Sequence, residues 1–334
     1  MKMSATLLAI GLSAGIATAM AAREPDQRKG APATTLGTIL VTGEQPGPGL
    51  WKISRGDHVL WVLGVLEPLP RQLKWHNKEI EEKIAQSQEV IGLSAGKLVF
   101  VSLLSLPSLS SAASYKELPD GKQLRDVLPP ELYARWSAIK ARYAPRDDDA
   151  EHLRPAYALE YIYDKALDQA GLQQDLDIWK SVRRIARRHH VRVVTHDFDV
   201  FVRHPNDAFR QLAAAPPDTG LPCFEARLPL LEDDLRDVRL RANAWATGDI
   251  QTLLQFGPVE ERFDCAETMR VAPALEEPIN EIKTRLVDDW LRAAEDALAK
   301  NHSTVAVQLM SRLLAPDGVL AALRAKGYVV EAPE

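Results

Sequence analysis

Cysteine is nearly missing from this chain: among 334 residues only Cys223 and Cys265 occur. No Cys-x-x-Cys pair or Cys/His cluster accompanies them, so neither reads as a metal ligand. A basic excess is missing too. Lys and Arg total 41 against 46 Asp and Glu, and a formal net charge of −5 argues against bulk nucleic-acid binding. No cysteine–histidine pairing offers a nucleophile. The run Gly92-Leu93-Ser94-Ala95-Gly96-Lys97 falls one residue short of a phosphate loop and lacks the Ser/Thr that follows one. There is no internal repeat. The N-terminal apolar stretch, Ala5 to Ala17, is shorter than the about 20 residues that span a bilayer.

What is present suits a globular protein of one large or two modest domains, 46% hydrophobic and 26% charged. Lys2, the apolar stretch and the small residues Ala17, Ala19 and Ala21 form a secretory signal peptide over residues 1–21. The mature chain is then expected in the periplasm, without a transmembrane span. In an oxidising compartment Cys223 and Cys265 are read as a disulfide closing a loop of roughly 40 residues, worth about 4 kcal/mol in the chain-entropy model. Two buried free thiols are the alternative.

Residues 22–49, rich in Pro, Gly and Thr, read as a flexible leader in which Leu36 to Gly43 forms an edge strand at most. The folded part is expected to begin near Leu50. Trp51 and Ile53 alternate with Lys52 and Ser54, and Arg55-Gly56-Asp57 supplies a hairpin turn. Val59 to Leu66 is almost continuously apolar, the pattern of a strand covered on both faces. An amphipathic helix over Trp75 to Ser87 and a strand at Glu89 to Leu93 complete a crossover unit. Helices follow from Pro130, from Pro155 to Gly171, and around Leu176, Trp179, Val182 and Ile185, ahead of a strand at Val191 to Val194. A long charged helix runs from Cys223 to Trp245, kinked at Pro229. Asp288 to Lys300 is helical, Val305 to Leu309 a strand, Gly318 to Lys326 a helix, and Tyr328 to Val330 the last strand. The fold class is mixed α/β: a central mixed sheet built from both chain ends, flanked by helices, with a helical insertion at about 115–190.

The run Leu50 to Pro68, ending in Gly64-Val65-Leu66-Glu67, resembles the opening of the TraB/PrgY/GumN family, where the strand ends in Gly-x-x-His. The segments Asn243-Ala244-Trp245-Ala246-Thr247-Gly248-Asp249 and Leu313 to Leu320, with Lys326 to Val330, are similar to further family segments. The resemblance covers most of 50–334 and implies a fold distantly similar to the erythromycin esterase and ChaN group. It also implies a metal-dependent hydrolase whose ligands include the two motif histidines. Here Glu67 stands at the first histidine. Val307-Gln308-Leu309-Met310 stands at the second Gly-x-x-His, Gly92-Leu93 where a carboxylate is expected, and Arg285-Leu286 at an Arg-Asn pair. Thioether sulfur is a poor ligand for hard divalent ions, so Met310 does not replace a histidine.

The chain is therefore expected to hold no metal and to bind a ligand or envelope partner (a peptide, a protein or an acidic polysaccharide) through a remnant cleft at Gly64 and Met310. A divergent hydrolase using Glu67 and Arg285, with Mn, Co or Zn, is the alternative. An accessory of envelope or exopolysaccharide export is a third reading. It draws on the cations Lys180, Arg183, Arg184, Arg187 and Arg188, which suit a helix C-terminus without any partner. Thr195-His196-Asp197-Phe198-Asp199 offers one imidazole and two carboxylates but reads first as a solvated loop. Leu98 to Leu109 reads as core rather than as a groove or membrane contact.

Overall fold

The computed structural model describes residues 39–75, 78–100, 114–174, 178–256 and 271–333. The chain enters through β1 (Gly43–Gln45) and forms the hairpin β2 (Trp51–Arg55) and β3 (His58–Val65). The alternation of Trp51 and Ile53 puts both the indole and the sec-butyl group inside. Gly56 turns the chain at φ +64°, a conformation that glycine adopts without a Cβ clash. Short strands β4 (Leu69–Pro70) and β5 (Leu73–Trp75) follow, then α1 (Lys78–Ala85), β6 (Glu89–Ile91) and β7 (Gly96–Phe100). Helix α1 starts later than the expected Trp75 because Trp75 pairs with Gln45 of β1 instead.

The helical middle comprises α2 (Pro130–Tyr143) and α3 (Pro155–Gln169), each opened by a proline whose missing N–H costs nothing in a first turn. After β8 (Leu172–Gln173) come α4 (Ile178–Arg188), β9 (Arg192–Val194), β10 (Phe198–Val202) and α5 (Pro205–Ala213). The long charged helix expected after Cys223 is two helices, α6 (Leu221–Glu232) and α7 (Arg236–Thr247). Pro229 lies inside α6, and the break comes at Asp234 and Leu235, which both take positive φ. Tyr143 covers this end by donating its hydroxyl toward Leu231 O at 3.2 Å and Asp234 Oδ1 at 3.0 Å.

Helices α8 (Ile250–Phe256) and α9 (Pro273–Lys300) lead to β11 (Ser303–Leu309), α10 (Met310–Leu314), α11 (Val319–Ala325) and β12 (Val329–Glu331). Helix α9 begins at Pro273, well before the expected Asp288. Its first half is too polar to show a helical stripe, yet Leu275 is buried in a small second core with Val202, Ala208 and Leu212.

The six-stranded sheet runs β12-β2-β3-β11-β6-β9. Strands β3, β11, β6 and β9 are mutually parallel; β2 is antiparallel to β3, and β12 to β2. Both chain ends thus build one mixed sheet. Its centre is the β3–β11 pair, in register from Ser303 opposite Val59 to Leu309 opposite Val65. Leu60, Val62, Leu63, Val305, Ala306 and Val307 are fully buried there. Beyond the C-terminal ends of β6 and β9 the chain continues as β7 and β10, paired parallel in a separate two-stranded sheet.

The last part of the leader is built into this body. Val41 N–H donates to Asn243 Oδ1 at 2.9 Å, and Asn243 Nδ2 donates to Ile39 O at 2.8 Å. Gly47 N–H donates to Ala246 O at 2.9 Å. Residues 36–38 of the expected edge strand lie outside the described residues; residues 39–42 are in no strand and the strand forms at Gly43–Gln45, so ordered structure precedes Leu50 by several residues.

Candidate functional site at the C-terminal sheet edge

In open α/β sheets, ligands gather outside the C-terminal ends of parallel strands, where loops diverge. Here that edge is formed by Leu66-Glu67 after β3, Met310 after β11, Gly92-Leu93 after β6 and Thr195-His196-Asp197 after β9. The parallel register brings four distant sequence segments to one edge.

Glu67 is exposed just beyond β3 and precedes a cis peptide bond to Pro68. Met310 is 1% exposed. A Cβ placed on Gly64 would lie 2.6 Å from Met310 Cε, 2.9 Å from its sulfur and 3.0 Å from Leu313 Cδ1. The thioether therefore lies against the bare Gly64 backbone. Gly64 and Met310 are both within the core, so the space between them is filled by side chain rather than open as a cleft.

At the end of β6 the same thing happens with an aromatic. The Trp179 ring of α4 comes within 2.3 Å of where a Gly92 Cβ would sit, so only glycine admits the indole there. Leu93 packs partly buried against the core. The stripe assigned to α4 holds for Ile178, Val182 and Ile185, which are buried, while Trp179 lies half-buried over Gly92. Nothing in the local periodicity identifies Gly92 as its seat; Leu176 lies outside the described residues.

The Thr195–Asp199 loop is committed to its own geometry. Asp197 Oδ1 accepts from Ala95 N–H at 2.9 Å, and Ser94 Oγ accepts from His196 N–H at 3.1 Å. These two bonds tie the loop after β9 to the loop after β6. His196 is half-buried, with Nδ1 enclosed and without a hydrogen-bond partner. Asp199 is exposed on β10, and the loop's carboxylates do not converge with His196 as ligands.

Arg285 lies on α9 between Glu281 at 3.0 Å and Asp289 at 3.7 Å. Its guanidinium stacks 3.9 Å from the Phe198 ring, so its charge is balanced locally and its plane is occupied. An open groove of about 600 Å³ runs beside it, lined by Glu276, Glu277, Asn280, Glu281 and Thr284. Of the basic α4 face, Arg188 pairs with Glu81 at 3.1 Å and Arg183 lies 5.8 Å over Trp179. The Glu81 carboxyl is held below its usual range, chiefly by its hydrogen bond to His189.

The Asn243–Asp249 segment is structural throughout. Trp245 Nε1–H donates to Gly64 O at 2.8 Å inside the core. Gly248 closes α7 at φ +78°, and Asp249 accepts from Thr252 N–H at 3.0 Å and from its hydroxyl at 2.6 Å. Those two bonds hold the Asp249 carboxyl below its ordinary range.

Cys223 lies in the first turn of α6, while Cys265 lies outside the described residues, as does the Cys223–Cys265 pairing. So do residues 101–109 of the apolar Leu98–Leu109 segment. Among the described residues no helix is long and apolar enough to cross a membrane. The model of the TraB/PrgY/gumN family matches residues 49–332. No curated protein matches the chain, and no solved structure does.

Proposed function

The chain belongs to the TraB/PrgY/gumN family, and from that premise we propose that it is a non-catalytic, exported member that binds an envelope ligand or partner at the C-terminal sheet edge. One observation carries the reading. Met310, at the position of the second motif histidine, is buried against Gly64 and contributes a thioether where a hydrolytic ion needs nitrogen or oxygen. Trp179 over Gly92 and the apolar Leu93 add to it, since they fill the end of β6 with carbon. Polar groups at this edge include the exposed Glu67 and Asp197 and the half-buried Ser94, with the exposed Arg183 of α4 beside Trp179. Such a mixed rim suits recognition of a polar partner. The signal peptide over residues 1–21 would deliver the protein to the periplasm, where Cys223 and Cys265 would be oxidised.

A divergent hydrolase remains the second reading, because Glu67 is exposed at a strand end where general bases are placed. The two separate on one experiment. Purified mature protein is incubated with Mn²⁺, Co²⁺ and Zn²⁺, desalted, and its metal content compared with that of Glu67→Ala. Under the proposed reading the two proteins retain the same metal. Loss of metal on Glu67→Ala would overturn it and make Glu67 a ligand of a working centre.

A further inference from the structure

The opposite edge of the sheet, where β3 and β11 begin, carries a second cluster of chemistry-bearing side chains. It lies about 23 Å from the Glu67 end, the length of β3 at the rise of a strand. Asp57 closes the β2–β3 turn, His58 opens β3, and His302 immediately precedes β11. One ligand atom from each lies within 4.8 Å of the others. We propose that Asp57, His58 and His302 form a binding site for a divalent transition ion of the zinc type.

The separations suit a small ion. His58 Nε2 is 3.5 Å from Asp57 Oδ1, and His302 Nδ1 is 3.3 Å from Asp57 Oδ2. A tetrahedral zinc ion with bonds of about 2.1 Å sets its ligand atoms about 3.4 Å apart. The tautomer is fixed as well. His58 Nδ1 lies 2.8 Å from Asn301 O, and a carbonyl only accepts, so Nδ1 carries the hydrogen. The lone pair is thereby left on Nε2, the atom that faces Asp57. A histidine ligand held through its other nitrogen by a backbone carbonyl is the usual outer-shell arrangement of protein metal sites.

That carbonyl is itself anchored. Asn301 Nδ2 donates to Glu89 Oε1 at 3.1 Å and to Thr304 Oγ1 at 3.0 Å. Val59 N–H donates to His302 O at 2.9 Å, fixing the backbone of the second histidine against β3. The two imidazoles lie 5.2 Å apart at 30°. Two imidazoles with one carboxylate prefer zinc, cobalt or nickel over magnesium or calcium, which favour all-oxygen shells. Because Asp57 and His302 are solvent-exposed, at 76% and 71%, the remaining coordination position is open to water. A bound ion would tie the hairpin turn to the residue that precedes β11, near the other end of the chain.

The test uses the untagged mature chain, stripped with chelator and titrated with ZnCl₂ by calorimetry, beside His302→Ala, Asp57→Ala and Glu67→Ala. All three positions are exposed, so the variants are expected to fold. Wild type should bind one ion. Either His302→Ala or Asp57→Ala should weaken binding by at least about tenfold, the loss an outer-shell partner alone can cause. Glu67→Ala should bind as wild type does. Zinc at a hundredfold excess over the wild-type Kd should raise the wild-type Tm by about 5 °C, and that of His302→Ala and Asp57→Ala by about half as much or less. No binding by wild type, or binding by His302→Ala and Asp57→Ala as tight as that of wild type, would overturn the site. Binding lost only in Glu67→Ala would overturn both this site and the non-catalytic reading.

Discussion

At the scale of the single residue, Gly64 and Met310 decide what the C-terminal edge can do. The glycine matters for close approach: a Cβ there would sit 2.6 Å from Met310 Cε. Gly64→Ala is therefore expected to cost about 1–3 kcal/mol by overpacking. Met310→Ala should cost about 2–5 kcal/mol by leaving a cavity. Combined, the two should cost clearly less than their sum, because the added methyl enters the vacated space. Urea unfolding of the four proteins measures this coupling, and strict additivity would show that the thioether does not rest on Gly64. The sequence names both residues and predicts that Met310 is no ligand. It does not say that the methionine is buried, since that depends on α10 folding back over β3.

Single elements account for the second family segment. The Trp-x-x-Gly-Asp run marks a helix end, a left-handed glycine and the cap of the next helix, all of which are local signals. Asp249 has its folded pKa depressed by the Thr252 bonds, so the sign of its pH effect follows directly. Its stabilisation is complete above the unfolded carboxylate range and fades as pH falls below about 4 toward the folded value. Asp249→Ala should therefore melt below wild type at pH 7, with the gap narrowing in acid. A gap that stays constant from pH 7 to pH 3 would mean that the ionised carboxylate is not the source. The break between α6 and α7 is less legible. Pro229 advertises a kink, but the turn comes at Asp234 and Leu235, where the Tyr143 hydroxyl meets the freed groups.

For the whole molecule, the leader is the clearest case of distant residues acting together. Asn243 receives Val41 N–H and donates to Ile39 O, so one side-chain amide pairs with an extended backbone as a neighbouring strand would. Asn243→Ala removes both bonds at once. Limited proteolysis should then cut before Gly43 several times faster, while cleavage within 50–256 stays unchanged. Equal cutting of both proteins would mean that β1 and Gly47 suffice to hold the segment. Composition alone reads residues 22–49 as a linker, because Pro, Gly and Thr say nothing about a partner two hundred residues away.

The sequence by itself determined the mixed α/β class, the hairpin and its turn, most helix starts and stops, and the family scaffold. Those features rest on side-chain periodicity and on the φ preferences of Gly and Pro, which act between chain neighbours. The tertiary structure alone decided that Met310 and Trp179 fill the strand ends, and that Arg285 is spent on Glu281, Asp289 and Phe198. It alone decided that Asn243 captures the leader and that Asp57, His58 and His302 converge. The reason is the parallel pairing of β3 with β11. Its register is settled by burying both apolar strands between helices, and only then do residues from opposite ends of the chain become neighbours.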